Sequence, residues 1–245
     1  MEQVLVRASR VYEVIIGAGV LSELGLRTAA LIRGRRAVIV TDSNVGPLYG
    51  EQAAETLRQE GFSVETFTFL AGEASKNPGT LLEVLTFFAK AELTRQDVVI
   101  ALGGGVTGDL AGLAASLYLR GVPCVQVPTS LLAMVDSSVG GKTAVDLPEG
   151  KNLVGTFTQP YLVLCDSKAL DTLAPEVFAE GMAEVIKYGM IRSRELLELL
   201  LRDEAAEELE HIIAQCVRLK RDVVAEDEQD FGERQILNFG HTLGH

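Results

Sequence analysis

The apolar run Asp97-Val98-Val99-Ile100 continues through Ala101 and Leu102 into Gly103-Gly104-Gly105-Val106-Thr107-Gly108-Asp109-Leu110, and this junction constrains the fold more than any other stretch of the chain. It reads as a strand that empties into a glycine turn opening a helix. Backbone N–H groups and a helix N-terminus then point at one small volume, which suits an anion such as a pyrophosphate. Three consecutive glycines also serve as a bare tight turn, so the junction alone leaves both readings open.

Around it the chain alternates. Extended runs at Glu13–Ile16, Arg36–Thr41, Ser63–Phe69, Asp97–Leu102, Cys124–Val127 and Tyr161–Cys165 are separated by segments with apolar residues at three-to-four spacing, Val45–Glu60, Pro78–Glu92 and Val106–Arg120. Such alternation predicts right-handed crossovers and a Rossmann-like, mainly parallel sheet covered on both faces. After about Pro175 the pattern turns helical, at Pro175–Met190, Arg194–Leu201 and Ala205–Ala225. The expected organisation is an α/β domain over residues 1–170, followed over residues 171–245 by the first part of an all-helical domain.

With 47% hydrophobic residues in 245, the chain can bury a large core. Its net charge of −12 argues against nucleic acid or an anionic membrane as partner, so an anionic substrate needs a local cluster of cations. The region Val98 to Leu119 is broken by glycines and Asp109, and makes a poor membrane span. Met1–Arg7 lacks the features of a signal peptide, and a cytoplasmic address is expected. Cys124, Cys165 and Cys216 are widely spaced and read as reduced, buried residues. The acidic segment Asp203–Glu210 reads as a solvated helix face, and His211 beside it as a surface or packing residue.

The stretch Val127–Asn152 reads as a polar loop region. Gly140-Gly141-Lys142-Thr143 resembles the end of a P-loop, but Asp136 stands where that motif wants its first glycine. Gly140 and Gly141 with Lys142, Lys151, Ser137, Ser138 and Thr143 could still cradle a phosphate; an ordinary surface loop is the alternative. Glu184 and Lys187, at i and i+3, share one helix face, which also fits a surface ion pair. His241 and His245 stand four apart, and a carboxylate with imidazoles is a common zinc environment.

Taken together, Thr41–Val45, Gly72-Glu73-Ala74-Ser75-Lys76, Gly103–Asp109, Met134–Thr143, Gly181–Gly189, Lys220, Arg234 and Asn238–His245 resemble the 3-dehydroquinate synthases, NAD- and zinc-dependent sugar-phosphate cyclases of the shikimate pathway. The resemblance implies that Asp42 and Asn44 lie by the adenosine half of NAD, with Glu73 and Lys76 near its ribose. It places Gly103, Gly104, Gly105, Val106 and Asp109 at the pyrophosphate and nicotinamide, with Thr129, Ser130, Asp136, Lys142, Lys151, Thr172 and Leu173 completing the pocket. Glu184 and His241 are implied ligands of Zn2+ or Co2+. Lys142, Asn152, Lys187 and His245, with Arg120 from a neighbouring subunit, are implied around the substrate phosphate; Lys220, Arg234 and Asn238 around its carboxylate and hydroxyls. The implied substrate is the seven-carbon sugar acid phosphate DAHP, cyclised to 3-dehydroquinate with release of phosphate, in a homodimer. The cations Arg120, Lys142, Lys187, Lys220 and Arg234 supply the local charge that the acidic average lacks.

The family's chains run on to a His-Gly-Glu segment that supplies a third zinc ligand, so this sequence is expected to be part of a longer chain. Asp230 stands where many relatives carry a longer acid. Other expectations remain open: another cyclase, making an aminocyclitol or valiolone precursor; a metal-dependent polyol dehydrogenase of the same architecture; or a non-catalytic NAD-binding fragment. Asn238 and His245 favour the shikimate member.

Overall fold

The computed structural model describes residues 1–202 and 207–240. The strands are β1 (Glu2–Arg7), β2 (Val11–Gly17), β3 (Arg36–Asp42), β4 (Ser63–Phe69), β5 (Val98–Gly103), β6 (Cys124–Pro128), β7 (Lys142–Leu147), β8 (Gly150–Phe157) and β9 (Leu162–Asp166). The helices are α1 (Leu24–Leu31), α2 (Glu51–Gln59), α3 (Pro78–Lys90), α4 (Gly105–Leu117), α5 (Pro175–Arg192), α6 (Arg194–Leu200) and α7 (Leu209–Glu226). One sheet runs β1-β2-β9-β6-β5-β3-β4, and each neighbouring pair is parallel except β1 with β2.

Because helices cover both faces, the central strands bury every second residue on each side and read as continuous apolar runs. Ala37, Ile39, Val98, Ile100 and Leu102 pack with Leu24, Ala53 and Leu57 of α1 and α2. Val38, Val40, Val99 and Ala101 pack on the opposite face with Val84, Phe88, Leu110 and Leu113 of α3 and α4. On that same side, toward β1 and β2, Val14, Ile16 and Val163 share a core with Val185, Tyr188, Leu196, Ile213 and Val217 of α5, α6 and α7.

Each expected strand is present, and the sequence reading missed β1. The stretch expected as the helix Val45–Glu60 opens with a wide turn over Gly46–Gly50 before α2, with Pro47 in its first turn, where a missing N–H costs nothing. The last helix begins at Leu209, with Glu207 and Glu208 in a preceding turn; residues 205 and 206, its expected start, lie outside the described residues. Val127–Asn152 is not a plain loop. It holds a single wide helical turn, Ala133–Ser137, and the start of the antiparallel hairpin of β7 with β8, which runs on to Phe157 and whose inner strand buries Thr143, Ala144 and Val145 over α4.

Helix α1 escaped sequence reading because it is short and carries Gly25, which looks like a breaker. The glycine is there for close approach: a Cβ at 25 would stand 1.9 Å from the Thr56 carbonyl oxygen of α2. Gly25→Ala is therefore expected to lower unfolding stability by about 2 kcal/mol, as overpacking does. Urea denaturation checks it, and an unchanged midpoint would mean that α1 can slide off α2 freely.

Candidate active site

The strand order reverses between β3 and β5, since β3 connects outward to β4 while β5 connects the other way to β6. Open parallel sheets hold ligands outside the carboxyl ends of their strands at such a point. Asp42 ends β3 and Gly103 ends β5. Asp42 Oδ1 accepts the N–H groups of Asn44 (2.8 Å) and Val45 (3.0 Å), and its Oδ2 lies 3.3 Å from the Thr107 hydroxyl on α4. The crevice is thus bridged by the first turn of α4.

The glycine turn is shaped for close approach. A Cβ at Gly103 would meet Thr107 Oγ1 at 2.3 Å, and one at Gly105 would meet Ser137 Oγ at 3.3 Å. The first helical bond of α4 runs from Gly108 N–H to Gly104 O, 3.0 Å, so the amides of Gly105, Val106 and Thr107 lie outside the helical ladder at the positive end of the helix. This cradle fits a dinucleotide pyrophosphate. Thr129 and Ser130 follow β6 at the same edge, Thr129 N–H donating to Gly103 O at 3.0 Å. Thr172, ahead of Leu173, joins them through a 2.6 Å hydrogen bond with Tyr49. A cavity of about 280 Å3 lies there, lined in part by Tyr49, Leu102, Val127, Thr129 and Ala169.

Beside the turn opens a larger cleft of about 630 Å3, whose walls include Asp109, Asp136, Lys142, Asn152, Lys220 and Asp230. In this cleft and close to it four lysines each face a carboxylate. Lys220 of α7 sits 2.8 Å from Asp136, Lys76 sits 2.6 Å from Asp109, Lys187 pairs with Glu184, and Lys142 pairs with Asp230. The expected cluster of bare cations is therefore a charge-balanced one. Lys76 also donates to Asn152 Oδ1 at 2.6 Å, tying the turn before α3 to the hairpin.

Burial shapes the ionisation of these groups. For Asp136 burial works against the charged form, yet Lys220, Lys187 and the hydrogen bonds from Lys220 and Tyr188 outweigh it and hold the carboxyl well below its ordinary range. Asp109 is raised, because burial exceeds the pull of Lys76. Burial likewise lowers Lys220, against Asp136, and Arg234, against Asp230 and Asp136.

Other candidates do not line this cleft, although Arg234 lies close to its Asp136 and Asp230. Arg234 is 2% exposed and donates to the carbonyls of Glu228 (2.6 Å) and Gly140 (3.1 Å). Lys151 and Glu73 form an exposed pair at 3.4 Å, and Asn44 and Asn238 are exposed. Arg120 is exposed at the far end of α4, about 20 Å of helix from the glycine turn. One N–H of the expected phosphate cradle at Gly140 and Gly141 is already engaged. Both glycines are buried at positive φ, and the Gly140 N–H already donates to the Tyr12 hydroxyl at 3.2 Å. Glu184 and Lys187 are 16% and 6% exposed, so they are no surface pair. His241 and His245 lie outside the described residues. Among the described residues no three His, Cys, Asp or Glu side chains converge as a metal site, leaving Glu184 as the one implied ligand whose place is seen. The three cysteines are free and buried, and His211 is half-exposed against Glu2 and Gln215.

Sequence reasoning missed Tyr188, Thr107, Tyr49 and Glu228. Tyr188 adjoins Lys187, which is the one signal that could have raised it. Glu228 accepts from both the N–H and hydroxyl of Ser9, at 2.8 and 2.5 Å, and from Gln159 at 2.8 Å, joining distant segments that no spacing links.

Among the described residues no helix is long and apolar enough to cross a membrane. Residues 66–180 match the family model for the N-terminal part of 3-dehydroquinate synthase, and residues 181–245 that for its C-terminal part. A 3-dehydroquinate synthase of Symbiobacterium thermophilum is 50% identical over 243 residues, covering 96% of this chain and 67% of the relative. One from Streptococcus sanguinis is 51% identical with the same two coverages. Among solved structures, a 2-deoxy-scyllo-inosose synthase complexed with carbaglucose-6-phosphate, NAD+ and Co2+ superposes with a TM-score of 0.90 at 29% identity, over 100% of this chain and 69% of that one. A 2-epi-5-epi-valiolone synthase from Streptomyces hygroscopicus with NAD+ and Zn2+ gives 0.83 at 32% identity, over 94% and 66%. An iron-containing alcohol dehydrogenase from Thermotoga maritima gives 0.67 at 17% identity over 86% and 68%, a likeness of fold. The chain spans about two thirds of the length of these relatives, and with half of its residues identical to theirs and both family models matched in order, it belongs to the 3-dehydroquinate synthase family.

Proposed function

We propose that this chain binds NAD at the β3–β5 crevice and, as part of the complete protein, converts DAHP to 3-dehydroquinate and phosphate. One observation carries the reading. The turn Ala133–Ser137 serves both sites at once, Ser137 standing beside the Gly105 cradle while Asp136 holds Lys220 in the cleft. A reacting carbon bound in the cleft therefore lies beside a cofactor in the crevice. NAD in the crevice would supply a reversible hydride acceptor, and Zn2+ or Co2+ held by Glu184 and His241 would supply a Lewis acid.

The chain's own residues bind and orient. The first-turn amides of α4 take the pyrophosphate, and Asp42 faces the adenosine half. Lys142, Asn152 and Lys187, with His245, take the substrate phosphate, while Arg120 serves the cleft of a second copy. Lys220, Arg234 and Asn238 hold the carboxylate and hydroxyls, for which Arg234 must leave the Gly140 carbonyl. Carboxylates that pair these lysines keep the empty cleft neutral and set a dianionic phosphate apart from weaker anions.

With NAD and DAHP, the complete protein is expected to release one phosphate per substrate consumed without net NADH. Accumulating NADH would favour a polyol dehydrogenase, and NAD binding without phosphate release would favour a non-catalytic module.

A further inference from the structure

We infer that Tyr188 is a positioning residue that turns the Asp136 carboxylate so that its Oδ2 faces the cleft as an acceptor for a substrate hydroxyl. The inference rests on the proposed cyclase reading and deepens it. Tyr188 lies on α5 next to Lys187 and is 0% exposed. Its hydroxyl donates to Asp136 Oδ1 at 2.6 Å. Lys220 Nζ lies 2.8 Å from that same Oδ1 and donates to the Asp136 backbone oxygen at 2.5 Å. Both side-chain contacts thus fall on one carboxylate oxygen. Asp136 lines the cleft, and neither bond engages Oδ2.

The geometry does more than neutralise a charge. Lys220 alone could satisfy the carboxylate in several rotations, because an ammonium is a compact charge on a flexible stem. A phenol on a ring fixed in the core, among Leu131, Met134, Val185 and Ile213, has one direction from which to donate. Two donors on Oδ1 then leave the lone pairs of Oδ2 as the face offered to a ligand. Burial and the neighbouring Asp136 push the phenol well above its usual range, so it stays a donor at any working pH. A hydroxyl-rich anion is the ligand class that such an acceptor, set between lysines, would recognise.

The test is a double-mutant cycle on kcat/KM in the full-length protein with NAD and DAHP. Tyr188→Phe is expected to lower kcat/KM about tenfold, mostly in kcat. In an Asp136→Asn background the same change is expected to cost less than about twofold, since the acceptor it orients is gone. Replacing Tyr188 by 4-aminophenylalanine, which restores a donor on the same ring, is expected to recover activity to within about threefold. If Tyr188→Phe does not fold, 4-aminophenylalanine against 4-methylphenylalanine makes the same comparison at constant volume. A loss that persists undiminished in Asp136→Asn, or Tyr188→Phe kinetics equal to the unmodified protein's, overturns the inference. Failure of the cyclase reading shows separately, as no phosphate release by the unmodified protein.

Discussion

Lys220→Met is expected to destabilise the folded protein by about 2 kcal/mol at neutral pH, because it removes the buried partner of a carboxylate that is only partly exposed and stays charged. Lys220 is 5% exposed, and its ammonium meets both the carboxylate and the backbone oxygen of Asp136. Methionine keeps the length and apolar stem, so the loss reports on the charge. The double variant Lys220→Met with Asp136→Asn is expected to regain most of the stability, since no uncompensated carboxylate remains. The pH dependence has a definite sign. A carboxyl held below its ordinary range in the folded state contributes stability above the unfolded pKa, near 4, and loses it as pH falls through the folded value. Without Lys220 the folded value of Asp136 rises toward the unfolded one. The gap between variant and unmodified protein should therefore narrow as the pH drops below about 4. Urea denaturation across that range measures it. A double variant no more stable than Lys220→Met would show that the loss comes from packing.

The sequence reading located the parallel strands because each central strand is apolar on both faces and ends in a turn signal, as β5 does at Gly103. It lost β1, an antiparallel edge strand whose inward residues Val4 and Val6 alternate with exposed ones over a short run. It lost the β7–β8 hairpin for a different reason. The outer strand exposes Leu153, Val154 and Phe157, so hydropathy carries no inside-outside contrast there. At the site, spacing could place Glu184 and Lys187 on one face, because that is a property of a single helix. It could not show that Lys76 reaches Asn152, or that Lys220 reaches Asp136, since those contacts join elements 76 and 84 residues apart. Nor could it show that each lysine of the cleft already faces a carboxylate. Formal charge counts cations and anions without saying which are neighbours.

That pairing bears on the role of Lys187. Its ammonium is 6% exposed, is held by Glu184, and lies close enough to lower the pKa of Asp136. A desolvated ammonium binds a phosphate oxygen by a short charge-assisted hydrogen bond, roughly twice as strong as a neutral one. Lys187→Met is therefore expected to lower kcat/KM for DAHP at least about a hundredfold, some 3 kcal/mol, while NAD affinity changes less than about threefold. The separation follows from the fold. Lys187 stands on α5, whereas the proposed dinucleotide cradle is built from the ends of β3, β5 and β6 and the first turn of α4. Phosphate release with saturating NAD gives the first quantity, and calorimetric titration of NAD the second. Equal losses in both would place Lys187 in the shared scaffold of the two sites, and unmodified kinetics would remove it from phosphate recognition and leave it a structural partner of Glu184.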